Sequence, residues 1–222
     1  LTLASAQTCS VAGDLATNIE RHLAFMVAAA EHDVQLLVFP ELSLTGYEPF
    51  LAMELAIAPN DAVLTPLREM ARELNMTAVV GMPIRLPSST GVLIGALVLA
   101  ADGSLAVYSK QHLHSGEELA FMPGQGGEAL VWGDDRIALA VCADFSHASH
   151  PRDAAALGAT VYAAGVLISD GGYAADSALL QGYAGEHSMV VLMANHGGPS
   201  GGWVCAGRSA IWGADGALIA AA

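Results

Sequence analysis

Three side chains with complementary chemistry stand at the ends of predicted strands. Cys142 follows the apolar run 136–141, Glu41 comes just past the run 36–39 and Pro40, and Lys110 lies just after the run 105–108. A free cysteine has a pKa of roughly 8.5, so most of it is thiol at neutral pH and it needs a base to become a nucleophile. A buried carboxylate with a raised pKa can take the thiol proton and later deliver one to a leaving amine. A lysine ammonium can hold a tetrahedral oxyanion, with the N–H after the cysteine, that of Ala143, beside it. Together the three suit acyl transfer through a thioester. Taken singly, each has a plainer reading. A cysteine ending an apolar strand is a small core residue, the glutamate can cap a turn, and the lysine can be a surface residue ending a hairpin. Spacing along the chain does not bring them together.

The elements that must position these groups follow from hydrophobic periodicity. A strand is expected over residues 1–6. A helix opens after Gly13-Asp14, with Asp14 as its cap and an apolar stripe of Leu15, Ile19, Leu23, Met26, Val27 and Ala30. A buried-type strand covers 36–39. Thr65-Pro66 starts a second helix, with Thr65 as cap and Pro66 in its first turn. Strands follow at 77–82, 92–100 and 105–108, the last two joined by an Asp102-Gly103 turn. Residues 111–128 read as a polar loop. A second hairpin joins 129–132 to 136–141, a helix covers 150–157, and a strand covers 160–164. A helix over 173–187, a strand over 189–194 and a last hairpin at 209–212 and 217–220 complete the pattern. Helices and strands alternate with hairpins inserted, which predicts an α/β protein of stacked layers with mixed sheets and not a parallel barrel.

Composition narrows the function. Of 222 residues, 54% are hydrophobic and 14% charged, enough for a thick core. No apolar run approaches the ~18 residues of a membrane span, so no membrane role is expected. The 22 acidic and 8 basic residues give a net charge of −14. No basic stripe exists to displace counterions, so no nucleic-acid partner is expected. Three cysteines at wide spacing, Cys9, Cys142 and Cys205, form no disulfide framework and suit a reducing, cytoplasmic setting. Cys9 and Cys205 read as structural. His112, His114, His147 and His150 are too loosely spaced for a metal site, and His147 is too near Cys142 in the chain for a protease-type dyad. The chain reads as one domain, 1–222, lacking its C-terminal portion.

The segments Phe39-Pro40-Glu41-Leu42, Tyr108-Ser109-Lys110-Gln111-His112-Leu113 and Val141-Cys142-Ala143-Asp144 resemble, in order, the three signature regions of the nitrilase superfamily, the carbon–nitrogen hydrolases. Gly46-Tyr47, the stretch from Glu117 to Pro123-Gly124, Asn195 and Gly207-Arg208-Ser209 extend the likeness over the whole chain. The resemblance implies a four-layer αββα sandwich, a homodimer or higher homo-oligomer, and no metal or organic cofactor. It implies Cys142 as nucleophile, Glu41 as general base, Lys110 as oxyanion stabiliser and Glu117 as a second active-site glutamate. Ala143 supplies a backbone donor. Tyr47 and His147 are candidate substrate contacts; Phe121, Tyr173, Trp203 and His150 are further candidates for the pocket or its mouth. The family's nitrile hydrolases carry Trp-Glu after the cysteine, and Ala143-Asp144 stands there instead. The expected function is therefore hydrolysis of a non-peptide C–N bond in a small linear amide or N-carbamoyl compound. Nitrile hydrolysis, acyl transfer on the same triad, and a non-catalytic binding role are the alternatives. Asp144, two residues from the thiol, is expected to turn away and either cap a turn or pair with an arginine, Arg208 or Arg152.

Overall fold

The computed structural model describes residues 1–222. In chain order the elements are β1 (Leu3–Ser5), α1 (Leu15–Ala30), β2 (Leu36–Val38), α2 (Ala52–Leu55) and α3 (Thr65–Glu73). Then come β3 (Thr77–Ile84), β4 (Leu93–Leu99), β5 (Leu105–Ser109), β6 (Leu130–Trp132), β7 (Asp135–Val141) and α4 (Ser149–Ala156). The chain closes with β8 (Val161–Val166), α5 (Tyr173–His187), β9 (Val190–Asn195), β10 (Ala210–Trp212) and β11 (Leu218–Ala221).

Two sheets form. One has the order β1-β2-β3-β4-β5 and the other β11-β10-β9-β8-β7-β6. Each contains a parallel trio, β1-β2-β3 and β7-β8-β9, extended by antiparallel hairpins. The hairpin turns at Asp102-Gly103 and Asp215-Gly216 need left-handed backbone, and glycine supplies it at φ 86° and 78°. Three apolar clusters separate four layers. Leu36, Val38, Val79, Ile94 and Val98 of the first sheet meet Ile137, Leu139, Val161 and Leu192 of the second. Ile19 and Met26 of α1 and Leu67 and Ala71 of α3 cover the first sheet's outer face. Leu180, Tyr183 and Ala184 of α5 cover the second. This is the expected αββα sandwich. β3 and β4 are buried along their whole length because both of their faces are covered.

Three local expectations change. The buried face of α1 is Asn18, Ile19, His22 and Met26, while Val27 is 46% exposed. The helix lies over the turn that follows β2, whose backbone needs polar partners. Asn18 Nδ2 donates to the carbonyls of Leu44 (2.9 Å) and Val11 (2.8 Å), and His22 Nε2 lies 2.9 Å from Ser43 Oγ. Asp14 does cap α1, accepting from Thr17 N at 3.0 Å. Thr65 is the first residue of α3 and not its cap; Asp61 caps the single turn Ala62–Leu64 that leads into it. A short helical stretch over 49–55, not evident in the sequence pattern, precedes both.

Candidate active site

Glu41, Lys110 and Cys142 come from two sheets and meet at one end of the sandwich. Glu41 follows β2, Lys110 follows β5, and Cys142 follows β7. Two glycines fix the approach of the Glu41 turn. A Cβ on Gly165 of β8 would stand 2.6 Å from the Phe39 carbonyl, and one on Gly81 of β3 would stand 2.5 Å from that of Pro40. The turn is thus clamped between the sheets at a distance no larger residue allows. Sequence reading missed both glycines. Their signal was a glycine inside an otherwise apolar strand, the mark of close backbone approach. His196, also missed, donates its Nε2–H to the Glu41 carbonyl at 2.7 Å from within the core.

Lys110 is 1% exposed. Its ammonium donates to Glu41 Oε1 at 2.7 Å and to Glu117 Oε1 at 2.8 Å. Burial alone would lower its pKa, but the charges around it, led by Glu41, outweigh that and hold it protonated. Glu117 also accepts from the Tyr47 hydroxyl at 2.9 Å and from His114 N at 2.8 Å. Glu118 instead accepts from Gly116 N in the exposed loop. The other Glu41 oxygen, Oε2, is buried without a hydrogen-bond partner. Burial pushes the Glu41 carboxyl up to about 7, against the downward pull of Lys110.

Cys142 starts a single helical turn, Cys142–Ser146, with left-handed backbone at φ 43°. A non-glycine residue there is strained by about 1–3 kcal/mol. The strain is sustained by Asp144, which takes the expected capping role and does not pair with Arg208 or Arg152. Those arginines bind the exposed Asp170 and Asp153. Asp144 is fully buried and turns back on its own motif. Its Oδ2 accepts from Val141 N (3.0 Å) and the Tyr108 hydroxyl (2.7 Å). Its Oδ1 accepts from Gln111 N (3.0 Å) and His112 N (2.8 Å). One carboxylate thereby ties the Cys142 turn to the Lys110 loop. The thiol points at the Leu167 carbonyl, 3.6 Å away. Its pKa is raised, chiefly by burial and next by the Glu41 charge.

These groups open on a cavity of ≈ 280 Å³. It is lined by Glu41, Glu117, Cys142 and Ala143, with Tyr47 and Trp203 among its walls. Ser200 Oγ accepts from Tyr47 N at 2.8 Å, so the Gly-rich loop 197–202 sets Tyr47, and a Cβ on Gly201 would collide with the Tyr47 carbonyl. Asn195 fastens another wall. Its side chain accepts from Ile168 N at 2.8 Å and donates to the Ile168 and Gly207 carbonyls. Leu167, Ile168 and Ser169 of that segment line the cavity.

Several candidates lie elsewhere. His147 is exposed and stacks on His112, ring centroids 3.9 Å apart, because the turn after Cys142 carries it away from the cavity. His150 is held behind the site, its ring nitrogens each 2.8 Å from the hydroxyls of Tyr108 and Tyr162. Phe121 belongs to the core between the sheets. Tyr173 donates to the Arg208 carbonyl, with the guanidinium over its ring. Cys9 is exposed and Cys205 half-buried, and neither reaches the cavity.

The arrangement offers a thiol and a buried carboxylate with a free lone pair on one small cavity, and a fixed ammonium behind that carboxylate. Residues 2–222 match the family model described as carbon-nitrogen hydrolase. An (R)-stereoselective amidase of Pseudomonas sp. is 28% identical over 204 residues, 89% of this chain and 72% of that protein. A glutamine-dependent NAD(+) synthetase of Thermotoga maritima is 27% identical over 163 residues, 71% of this chain but 28% of that one. Among solved structures, the amidase of Nesterenkonia sp. AN1 superposes with a TM-score of 0.89 at 30% identity, covering 99% of this chain and 88% of that one. A cysteine-to-alanine variant of the same amidase, in complex with butyramide, gives 0.90 at 29% identity, with 99% and 85% covered. The match to the family model spans nearly the whole sequence, and the chain belongs to the carbon-nitrogen hydrolase family, as an amidase-like enzyme.

Proposed function

We propose that the chain hydrolyses the C–N bond of a small linear amide through a thioester on Cys142. Glu41 and Cys142 on the wall of one cavity, with the Lys110 ammonium bonded to Glu41 just behind that wall, carry this reading. The free Oε2 of Glu41 takes the thiol proton, and sulfur adds to the amide carbon. The carbonyl oxygen becomes an oxyanion facing the Lys110 ammonium and the Ala143 N–H. That N–H opens a helical turn, where N–H groups lack intrahelical partners. The C–N bond then breaks, and Glu41 gives its proton to the departing ammonia or amine. Water adds to the thioester with Glu41 as base, the C–S bond breaks, and the acid leaves with the thiol restored. Glu117 holds Lys110 and Tyr47 in place from the far side. Ala143-Asp144 after the nucleophile, in place of Trp-Glu, favours amides over nitriles.

Ammonia release from a panel of primary amides, N-carbamoyl amines and nitriles tests the proposal. Simple amides are expected to lead. Cys142→Ala is expected to cut turnover by about 10⁴-fold or more while keeping the melting temperature. Near-normal turnover in that variant would sink the mechanism.

A further inference from the structure

The cavity has a charged wall that the chemistry above leaves unused. Asp176 sits in the first turn of α5 and lines the cavity together with Ser169, Gly172, His114 and Trp203. Its carboxylate folds back over Gly172, where an added Cβ would stand 3.2 Å from Oδ2 and 3.4 Å from Ser169 Oγ. The carboxylate is half-buried and has neither a hydrogen bond nor a cation as partner. Burial raises its pKa from the ordinary carboxylate value, with His114 as the one neighbour opposing that rise. No arginine or lysine lines the cavity. Lys110 stands behind it, engaged by Glu41 and Glu117. The space beyond Cys142 therefore presents an unpaired carboxylate and the ring of Trp203, with no lysine or arginine to receive an anion. A carboxylate on the substrate would be repelled there. An ammonium would gain a counter-ion and an aromatic surface.

We propose that the preferred substrate is a small amide whose acyl chain carries a protonated amine, with Asp176 as its counter-ion. This rests on the amidase reading of the same site and names its substrate class. It also separates the amide expectation from N-carbamoyl amino acids, whose carboxylate finds no cation in this cavity. The competing role for Asp176 is purely structural, since an acid in a helix's first turn is stabilised by the helix dipole.

The test compares β-alaninamide, γ-aminobutyramide and δ-aminovaleramide with their neutral isosteres butyramide, valeramide and hexanamide, and with anionic succinamate. It is run at about pH 8, where the amines are largely charged and histidine is neutral. For the best-fitting length, kcat/KM is expected to favour the aminoamide by about tenfold, the scale of one charge contact of about 1.4 kcal/mol. Succinamate is expected to be the poorest. Asp176→Asn is expected to erase the preference and Asp176→Glu to retain most of it. Wild-type ratios at or below one overturn the proposal. So does a ratio unmoved by Asp176→Asn while the melting temperature falls, the mark of a structural acid. Calorimetric binding to Cys142→Ala keeps the two readings apart. If no amide is hydrolysed yet the aminoamide binds more tightly in an Asp176-dependent way, the amidase reading fails and the cation site stands. Equal affinities overturn the cation site itself.

Discussion

Glu41 and Asp144 are both buried carboxylates beside the reactive thiol, one following β2 of the first sheet and the other following β7 of the second. Asp144 spends its lone pairs on the N–H groups of Val141, Gln111 and His112 and on the Tyr108 hydroxyl. Glu41 accepts from Lys110 on one oxygen and leaves the other without a partner. A saturated carboxylate has nothing left to react with, and it fixes the geometry of whatever donates to it. An unsaturated one, buried and with its pKa pushed up to about 7, is free to move a proton near neutral pH. Burial is common to both carboxylates, so it is the unused acceptor that suits Glu41 to the proton transfer proposed for it.

The comparison can be broken by exchanging either carboxylate for its amide. Glu41→Gln removes the proton acceptor while keeping the shape. Turnover is expected to fall by about 10³-fold, with the melting temperature little changed. Under the proposed mechanism Glu41 must be ionised to take the thiol proton, so in the wild type kcat/KM is expected to rise with pH up to about 7 and then level. An acidic limb near the ordinary carboxylate value of 4.5 would show that Glu41 is not the group that titrates. Asp144→Asn turns an acceptor facing several N–H groups into a donor. Each group left unpaired costs about 1–3 kcal/mol. The melting temperature is therefore expected to drop by about 5–10 °C, together with activity, as the Cys142 turn relaxes. If Asp144→Asn keeps its stability while Glu41→Gln unfolds, the assignment of the two roles is inverted.

A smaller effect sharpens the same contrast through acid stability. His22 and His196 are buried neutral, and burial pushes both down from 6.5 to about 4. The unfolded chain binds their protons first, so stability is expected to fall as pH drops from 6.5 toward 4, by about 3 kcal/mol per histidine. Glu41 has the opposite sign. Its folded pKa is raised, so acidification between about 7 and 4.5 favours the folded state. Melting temperature against pH is expected to decline below pH 6.5, and to decline more steeply in Glu41→Gln, where the opposing contribution is gone. Equal slopes in the two proteins would place the raised pKa on some other group.

Much of this architecture was legible from periodicity and turn chemistry. The apolar run ending at Val141, the glycine turns at Gly103 and Gly216 and the Asp14 cap are local facts, and local propensity decides them. The inner face of α1 was not legible, because Asn18 and His22 read as solvent-facing until the turn they cover is known. That Asp144 turns away and caps was legible, but its distant partners Gln111 and His112 were not, because they lie more than thirty residues away. His147 looked close to the nucleophile in the chain, and the backbone turn after Cys142 sends it elsewhere.

By itself the sequence determined the elements and their stacking in layers with mixed sheets, since these depend on side-chain pattern within short stretches; the ordered motifs added, through the family resemblance, the αββα arrangement and three candidate reactive groups. Only the tertiary structure decided that Gly81 and Gly165 clamp the Glu41 turn, that Lys110 is shared between Glu41 and Glu117, and that Asp176 faces the cavity unpaired. Those are relations between residues from different sheets and loops. Such relations are set by how layers pack, and no periodicity within one segment encodes them.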